Sequence, residues 1–330
     1  MLLLTGATGL LGLYLIDELL AQGHDLRVLV RNAEGRDLPW RHLVEVVDGD
    51  LLDILTLEQA VRGVEAVVHA GAMVSFDRRD REALLQINVQ GTANVVDACL
   101  SAGVPRLLHV SSVAAIGQPT EGQVATEATP WQPGQTVSTY ARSKRKAELE
   151  VYRGIAEGLT AQIVNPGLMI GPRGDWGQSS LRLFAAAAQG LRFYQQGHTA
   201  LVGAQDAARA IALLLHQDLP NGERYLLVTD TWPGQHMLSA FAESVGQRAP
   251  RIAIPPWLSL SAAWLVEQTA NLLGLRPLLS VEAIRSGLSD DRYDGSKITR
   301  LGFQYTPLEQ VIAETAQGYQ QAHAPAKNHL

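Results

Sequence analysis

The amino-acid sequence predicts an α/β fold built on a doubly wound parallel sheet, with a smaller C-terminal lobe. Short apolar runs alternate with helical patterns up to about residue 165, and this alternation is typical of parallel strands joined by helices. The runs are apolar throughout, as expected for strands that are covered on both faces. Right-handed crossovers place the carboxyl ends of all these strands at one edge of the sheet, where ligands bind.

The elements of the sheet follow one another in a regular order. We predict strands in the segments LLLT, LRVLV, HLVEVVDGD, VEAVVHAGA, PRLLHVSS and LTAQIVNPG. We predict helices over Leu10–Gln22, near Thr56–Arg62, over Arg81–Ala102 and over Thr139–Glu157. Gly23 ends the first helix, because a glycine adopts the left-handed conformation that follows a helix end.

The second half of the chain divides between the sheet and the second lobe. The helical pattern AQDAARAIALLLH and the strand RYLLVT, within residues 200–230, are expected to return to the sheet domain of residues 1–165. Regular alternation stops in GPRGDWGQ, where Gly, Pro, Arg and Trp crowd together. We therefore assign residues 166–199 and 231–330 mainly to a smaller lobe that binds the substrate.

Composition excludes several classes of function. The net charge of −6 argues against nucleic acid as a partner, because that binding needs a concentrated cationic surface. Cys99 is the single cysteine, so no intrachain disulfide forms, and we expect a buried thiol in a reducing cytoplasm. No charged region precedes the strand-like start, so no signal peptide is expected. The histidines lack metal-ligand spacing, so no metal is expected.

The segment Ile252–Leu275 contains the longest apolar run. The stretch from Pro255 to Val266 is too short to span a membrane and is closed by Glu267. We expect an amphipathic helix over a substrate pocket. Contact with a membrane surface stays open as the alternative, because Trp257 and Trp264 are suited to a lipid interface.

A glycine-rich turn, TGATGLLG, joins the first strand to the first helix. Gly6 permits a tight turn, Gly9 lets a diphosphate approach the backbone, and Gly12 allows close packing of helix on strand. The helix N-terminus adds free N–H groups and a positive dipole. This Rossmann-type pattern predicts a dinucleotide whose diphosphate lies on Gly6, Thr8, Gly9, Leu10, Leu11 and Gly12.

Arg31 follows the second strand, where many NAD-binding proteins carry a carboxylate. A carboxylate there accepts hydrogen bonds from the ribose diol and repels a 2′-phosphate, whereas a guanidinium binds that phosphate. Arg36 lies close enough in sequence to assist. We therefore expect NADP as the cofactor, with NAD as the alternative if Arg31 is only a solvated surface residue.

Tyr140 and Lys144 lie four residues apart in TYARSK, on one face of a helix. The lysine is expected to lower the pKa of the Tyr140 phenol, so that the phenol exchanges a proton with a carbonyl or an alcohol near neutral pH. Ser111 and Ser112 end the strand PRLLHVSS at the ligand edge, where a hydroxyl can polarise a substrate oxygen. Plain capping of the strand end is the alternative role for these serines.

These motifs resemble, along essentially the whole chain, those of the extended short-chain dehydrogenases/reductases, the NAD(P)-dependent epimerase/dehydratase family. The matching segments are the glycine turn, GDLLD, HAGA, INVQGTAN, SSVAAIG, TYARSK, NPG and DGSKITRLGFQYTP. VSF and NPGLMIGP are most similar to the bacterial dihydroflavonol-4-reductase-like and 3β-hydroxysteroid-dehydrogenase-like branch. Two segments depart from the family, since Arg173 is an extra residue in GPRGDW and LVGAQDAARA is looser than the usual Val-Asp-Val run.

The resemblance implies a role for each matching residue. Tyr140 would be the general acid/base, and Lys144 would also bind the nicotinamide ribose. Ser112, five residues before Gly117, would polarise the substrate, while Ser111 is the weaker candidate for that role and would contact the cofactor. Asn88 would brace the active-site helix and a water. The remaining implied cofactor contacts are Asp50 and Leu51 at the adenine, Ala70, Gly71 and Ala72 at the adenosine side, and Pro166 and Met169 at the nicotinamide.

Three functions are compatible with these residues. The first is an NADP(H)-dependent oxidoreductase that interconverts a carbonyl and an alcohol on a fairly apolar small molecule, as the tryptophans and the Leu-rich segment Pro255–Leu279 indicate. The second is a nucleotide-sugar epimerase or dehydratase, whose substrate diphosphate could be bound by Arg173, Arg182, Arg192, Arg285 and Arg292. The third is a non-catalytic dinucleotide sensor. A homodimer is expected to form through helices Arg81–Ala102 and Thr139–Glu157.

Overall fold

The fold comes from a computed structural model, which describes residues 1–120, 122–132, 134, 136–277 and 279–324. In these ranges the strands are β1 (Leu2–Thr5), β2 (Leu26–Val30), β3 (Glu45–Asp48), β4 (Ala66–His69), β5 (Leu107–Val110), β6 (Val124–Ala125), β7 (Ala161–Pro166), β8 (Leu168–Ile170), β9 (Phe193–Gln195), β10 (His198–Gly203), β11 (Arg224–Leu227), β12 (Asp230–Pro233), β13 (Ile252–Ile254) and β14 (Arg292–Tyr293). The α-helices are α1 (Leu10–Ala21), α2 (Ile54–Ala60), α3 (Arg81–Leu85), α4 (Gly91–Ala102), α5 (Thr139–Ala156), α6 (Ser179–Ala188), α7 (Ala204–His216), α8 (Gly234–Ser244), α9 (Pro256–Leu272), α10 (Val281–Gly287) and α11 (Leu308–Ala322).

A seven-stranded sheet in the order β11-β7-β5-β4-β1-β2-β3 forms the centre of the fold. Every neighbouring pair in it is parallel, so the predicted Rossmann-type, doubly wound α/β fold is confirmed. β11 joins the far edge beside β7, and α7 packs against α1 on one face of the sheet. β2 and β3 are added on one side of β1, and β4, β5 and β7 on the other. Ligands of such sheets bind at the point between β1 and β4 where the order reverses.

The core has one layer on each face of the central sheet. On one face, Leu15 of α1 and Ile211 of α7 are fully buried against strand residues such as Val68. On the other face, Val95 and Cys99 of α4 are fully buried beside β4 and β5. The predicted burial of Cys99 at the end of a helix is therefore confirmed, and burial raises the pKa of its thiol to about 12.

The single helix predicted over Arg81–Ala102 is interrupted. A π-helical turn, Gln86–Gln90, lies between α3 and α4. Its central residue Asn88 has a backbone carbonyl that accepts a hydrogen bond from the hydroxyl of Thr92 at 2.6 Å, and its side chain bonds to a different segment of the chain. Such turns are rare and often occur at functional sites.

The strands outside the central sheet form three smaller sheets. β10 pairs with β8 in parallel and with β12 in antiparallel orientation, while β9 pairs with β13 and β6 with β14. Trp232 is buried and Trp176 packs on Phe184, whereas Trp257 and Trp264 on α9 are exposed. Among the described residues, no helix is both long and apolar enough to cross a membrane.

Candidate active site

The carboxyl edge of the central sheet carries most of the residues predicted for the site. They follow or end the strands β3, β2, β1, β4, β5 and β7 in the spatial order Asp50, Arg31, Gly6, Ala70, Ser111 and Pro166. Neighbouring strands lie about 4.8 Å apart, so the three steps from β2 to β5 span about 14 Å. The row is thus long enough for an extended dinucleotide, with Arg31 at one end and the serines at the other.

The glycine turn leaves the backbone open at one position and closes it at two others. Gly6 has φ +78°, and a Cβ on it would lie 2.6 Å from the backbone of Ala70. A Cβ on Gly12 would lie 2.2 Å from the Gly6 carbonyl oxygen. At Gly9, which precedes α1 and offers no side-chain cap, the nearest atom would be 3.4 Å away. Gly6 and Gly12 are therefore required by packing, whereas the space over Gly9 is free for an anion.

The other residues expected at the diphosphate differ in exposure. Thr8 is exposed, Leu10 is half-buried and Leu11 is buried in the core beneath the turn. The side chain of Leu11 cannot meet a ligand, so only its backbone N–H is available. Thr8 also borders a surface pocket that extends to Arg36 and Trp40, which connects the glycine turn to the arginines.

Arg31 and Arg36 lie beside each other past the end of β2. The Arg31 side chain is 59% exposed, and its Nη1 lies 3.6 Å from Oδ2 of Asp50. Arg36 donates from Nε to the Arg31 carbonyl oxygen at 2.9 Å. An exposed pair at this distance contributes little stability. The Arg31 guanidinium therefore remains available to a phosphate, with Asp50 beside it.

The HAGA segment is held against the glycine turn by a buried threonine. Thr5 Oγ1 accepts a hydrogen bond from the Gly71 N–H at 3.1 Å and also contacts Nδ1 of His69 at 2.7 Å. Leu51 covers Gly71, since a Cβ on that glycine would lie 3.1 Å from Leu51 Cδ1. Burial, with the nearby Lys144 cation, lowers the pKa of His69 to about 3. His69 is thus a neutral structural residue. Gly71 of the HAGA segment lies next to Leu51, so two of the segments expected to contact the adenosine are neighbours.

Asn88 connects the loop after β4 to the helix α5. Its Oδ1 accepts from the Met73 N–H at 2.7 Å, and its Nδ2 donates to the Met73 carbonyl at 2.9 Å. Nδ2 also lies 2.9 Å from Oγ of Ser143, which stands between Tyr140 and Lys144. The side chain is almost completely buried. Asn88 therefore fixes the position of α5 relative to the sheet edge.

Tyr140 and Lys144 share one face of α5, as their spacing predicts. Lys144 is 2% exposed, and its Nζ donates to the Val110 carbonyl oxygen at the end of β5 at 2.7 Å. Tyr140 is half-buried and interacts with the Ser112 side chain. The structure thus brings Ser112, Tyr140 and Lys144 together at the carboxyl end of β5.

The pKa values of this pair differ from the sequence-based expectation. Burial raises the pKa of Tyr140, and the hydrogen bond with Ser112 only partly opposes this effect. Burial also lowers the pKa of Lys144 to about 8, which Glu148 partly opposes. The net rise is opposite in direction to the lowering expected from Lys144, because desolvation of the phenolate is the largest cause of the shift.

The two serines after β5 have different environments. Ser112 is half-buried, and its Oγ accepts a hydrogen bond from the Ala114 N–H at 3.2 Å. This capping bond uses the oxygen as an acceptor, and the hydroxyl also makes the side-chain hydrogen bond with Tyr140. Ser111 is buried, and its hydroxyl has no hydrogen-bond partner among the described residues. Ser112 is therefore the better placed of the two to polarise a substrate oxygen.

A buried carboxylate that was not predicted from the sequence supports this region. Glu148 accepts from Asn165 Nδ2 at 2.6 Å and lies 3.2 Å from Arg145 and 3.5 Å from Arg224. Asn165 also donates to the Ser112 carbonyl oxygen at 2.9 Å. The spacing of Glu148 four residues after Lys144 on α5 is the signal that would have indicated it.

Two further contacts, also not predicted, hold the start of α5 and the loop before it. Both carboxylate oxygens of Glu282 in α10 accept from Thr139, from its N–H and from its hydroxyl, each at 2.9 Å. The Phe76 ring lies 5.9 Å from the ring of Tyr140. The start of α5 is thus fixed by α10, and Tyr140 is bordered by an aromatic side chain.

The remaining predicted residues lie farther along the chain. Pro166 ends β7 and is buried, and Met169 in β8 is half-buried against the core. Arg173 binds Asp17 of α1, and its guanidinium lies over the Tyr14 ring, 4.9 Å from its centroid. The other arginines considered for a substrate diphosphate are exposed: Arg182, Arg192, Arg285 and Arg292. In the described part of the chain, no group of three or more His, Cys, Asp or Glu side chains could hold a metal ion.

Comparison with known proteins identifies the family of the chain. Residues 2–227 match the model of the NAD dependent epimerase/dehydratase family. The chain is 31% identical to a putative dihydroflavonol 4-reductase of Synechocystis, covering 96% of this chain and 93% of that protein. It is 33% identical to sterol demethylase protein B of Methylococcus capsulatus, covering 94% and 96%.

A solved structure shows the same fold. The Thermus thermophilus UDP-glucose 4-epimerase in complex with NAD superposes with a TM-score of 0.77 at 25% identity, covering 97% of this chain and 99% of that one. The chain therefore belongs to the NAD dependent epimerase/dehydratase family, the extended short-chain dehydrogenases/reductases, which are NAD(P)-dependent enzymes acting on CH–OH groups.

Proposed function

We propose that this enzyme is an NADP(H)-dependent oxidoreductase that interconverts a carbonyl and an alcohol on a fairly apolar small molecule. The observation that carries the proposal is the group Ser112, Tyr140 and Lys144 at the carboxyl end of β5. It lies on the same sheet edge as the open glycine turn. A reacting centre and a dinucleotide cradle thus face the same side of the sheet.

The side chains divide the proton chemistry between them. A bound nicotinamide supplies or accepts the hydride, which is exchanged with the carbonyl carbon. Tyr140 donates its phenolic proton to the carbonyl oxygen in reduction and takes it back in oxidation. Ser112 donates a hydrogen bond to the same oxygen. The raised pKa of Tyr140 keeps the phenol protonated at neutral pH, which is the form that reduction needs.

Lys144 supports Tyr140 and binds the cofactor ribose. Its ammonium has three donors, and one of them is used by the Val110 carbonyl. Two donors therefore remain for the ribose hydroxyls and for the phenol oxygen. With Lys144 held by Val110 and Ser112 held by the Asn165 bond to its backbone, both groups are pre-positioned, as catalysis by orientation requires.

Arg31 and Arg36 support NADP as the cofactor. Arg31 is mostly exposed at the adenosine end of the row, and Arg36 stands beside it. A 2′-phosphate placed there would gain a bidentate bond that NAD cannot make. Tight binding of NADPH in a fluorescence titration, weakened about tenfold or more in Arg31→Ala, is the expected result. Arg300→Ala, an exposed arginine elsewhere, is the matched control, and a preference for NADH would contradict the assignment.

The substrate is proposed to be apolar for two reasons. Phe76 borders Tyr140, and Arg173, one of the arginines that could bind a substrate diphosphate, is already paired with Asp17. The names of the two curated relatives, a dihydroflavonol reductase and a sterol demethylase protein, also fit a weakly polar ring compound. A panel of aromatic and alicyclic ketones and aldehydes with NADPH is the assay that would identify it.

Epimerisation or dehydration of a nucleotide sugar is the competing function, favoured by the solved relative that acts on UDP-glucose. Thermal shifts with UDP- and GDP-sugars distinguish the two, because a ligand that binds the folded state raises the melting temperature. We expect no shift with these compounds. Stabilisation by a nucleotide sugar, together with inactivity toward the carbonyl panel, would replace the first function with the second.

The catalytic assignment has a direct test. Tyr140→Phe should abolish turnover while leaving NADPH binding unchanged, since it removes only the proton donor. Tyr319→Phe, a tyrosine that packs on Trp176 in the core, is the matched control and should keep its activity. Turnover that survives in Tyr140→Phe would show that another group transfers the proton.

The lobe division and the homodimer are part of the same proposal. Residues 1–165 with 200–230 would bind the cofactor, and residues 166–199 and 231–330 would mainly bind the substrate. For the dimer, α4 and α5 lie side by side, and Leu149 of α5 is 49% exposed on their outer surface. Light scattering should give a dimer that Leu149→Glu dissociates, and a monomeric wild-type protein would contradict the proposal.

A further inference from the structure

The helix α9 exposes a face that is rich in large apolar side chains and also includes the exposed polar residues Ser261 and Gln268. Trp257, Trp264, Leu265 and Leu272 are 69%, 57%, 58% and 87% exposed. Trp264, Leu265 and Leu272 follow Trp257 by seven, eight and fifteen residues. This spacing places all four on one side of an α-helix. The segment after the helix adds the exposed side chains Leu273, Leu275 and Leu279. An exposed apolar surface of this extent marks an interaction site.

The distribution of charge on α9 is equally uneven. Glu267 is its one charged residue, and it is buried on the opposite side, where it accepts a hydrogen bond from the Val281 N–H at 2.9 Å. The outer face therefore carries no charge along the whole helix. Arg251 before the helix and Arg276 after it are both exposed, and Arg276 is also ion-paired with Asp80 at 3.3 Å. An uncharged face between two cationic ends is complementary to an apolar layer bordered by anionic groups.

The outer face of α9 by itself is smaller than the surface that a stable complex with a second copy of the chain buries. A helix of 17 residues is about 25 Å long and about 10 Å wide, so its outer face offers about 250 Å². Stable protein interfaces bury about 800 Å² on each partner. Tryptophans and leucines beside arginines are instead the composition of a helix that lies in a lipid–water interface.

We propose that α9 docks on the surface of a phospholipid bilayer, with Trp257 and Trp264 inserted at the level of the headgroups. Arg251 binds an anionic headgroup, and Arg276 adds positive charge beside its ion pair with Asp80, while the buried side of α9 stays packed on the protein. This binding is peripheral, and it is independent of the reaction proposed for the sheet edge.

Cosedimentation with unilamellar vesicles tests the proposal. The wild-type protein should bind vesicles of phosphatidylcholine with phosphatidylglycerol, more weakly as salt is raised, and brominated lipids should quench its tryptophan fluorescence. The double variant Trp257→Ser/Trp264→Ser should lose about tenfold or more in the partition coefficient. Arg251→Gln should weaken binding to the anionic vesicles and leave binding to pure phosphatidylcholine unchanged.

The matched control is Leu55→Gln on α2, which removes an apolar side chain that is 71% exposed away from α9. It should bind vesicles like the wild type. Circular dichroism should show all variants folded, because the replaced side chains are exposed. The proposal is overturned if the wild type does not sediment with anionic vesicles or if the double variant binds equally well. It is also overturned if the double substitution only dissociates an oligomer in light scattering.

Discussion

Replacing Lys144 by methionine should make the protein more stable and almost inactive at the same time. The ammonium is nearly fully buried, and the proposed function of Lys144 as a donor to the cofactor and to Tyr140 needs the charge. Methionine fills a similar volume without a charge to desolvate. Residues that serve the reaction at the expense of the folded state are expected at active sites.

The gain in stability of Lys144→Met follows from the pKa shift of Lys144 and from the one hydrogen bond that the variant loses. Burial lowers the pKa of Lys144 from 10.5 to about 8, a fall that corresponds to about 3 kcal/mol of destabilisation at pH 7. The variant loses the hydrogen bond to the Val110 carbonyl, which is worth about 1 kcal/mol. The free energy of unfolding should therefore rise by about 2 kcal/mol, which for this chain length corresponds to about 3 °C in Tm.

The pH dependence follows from the same shift. Below pH 8 the lysine is charged in both the folded and the unfolded state, so the burial penalty acts in full. Between about 8 and the ordinary value near 10.5 the folded state releases the proton while the unfolded state keeps it, so stability rises with pH. The free energy of unfolding of the wild type should therefore rise with pH through this window, whereas that of Lys144→Met should not. The stability difference between the two proteins should shrink.

Urea unfolding at pH 7 and pH 9.5 measures this difference, with turnover of NADPH measured beside it. We expect turnover to fall about 100-fold or more. Lys146→Met on the same helix replaces an exposed lysine and should change neither property. The reasoning is refuted if Lys144→Met is less stable than the wild type at pH 7. A stability difference that is the same at both pH values would refute it equally.

Three further predictions concern other parts of the molecule. Glu282→Ala removes both acceptors of Thr139 and should lower kcat about tenfold with little change in the KM for NADPH, whereas Glu282→Gln keeps one acceptor and should lose less; steady-state kinetics measures the split. Gly12→Ala places a Cβ 2.2 Å from the Gly6 carbonyl oxygen and should cost about 3 kcal/mol or more in urea unfolding, and a stable variant would show that α1 can shift. Cys99, buried and with a pKa near 12, should resist iodoacetamide at pH 8 until the chain unfolds, as read by intact mass.

Much of the fold could be predicted from local pattern. The apolar run LRVLV forms β2 over the same five residues, and the helix expected from Leu10 begins there and ends at Ala21 before Gly23, which has φ +82°. These elements follow from periodicity and glycine chemistry within a few residues. The π-helical turn at Asn88 could not be predicted in this way, because its side-chain bonds go to Met73 and Ser143, which are distant in sequence.

The sequence alone determined which chemistry is present and in what order along the chain. The glycine turn, Ser112, Tyr140 and Lys144 are recognisable because their spacing within one turn or one helix has a local physical reason. Only the tertiary structure decided the protonation of these groups. The pKa of Tyr140 is raised and that of Lys144 is lowered by burial, and burial depends on packing between elements that are far apart in the chain.

The partners of the site were decided in the same way. Glu282 reaches Thr139 across 143 residues, and Asn165 joins Ser112 to Glu148. A carboxylate or an amide in a sequence is compatible with solvent or with any of several partners, and only the folded chain determines which one it meets. The exposure of the apolar side chains on α9 was also decided only by the tertiary structure. A pattern of leucines and tryptophans in a sequence does not determine which of these side chains become buried in the fold.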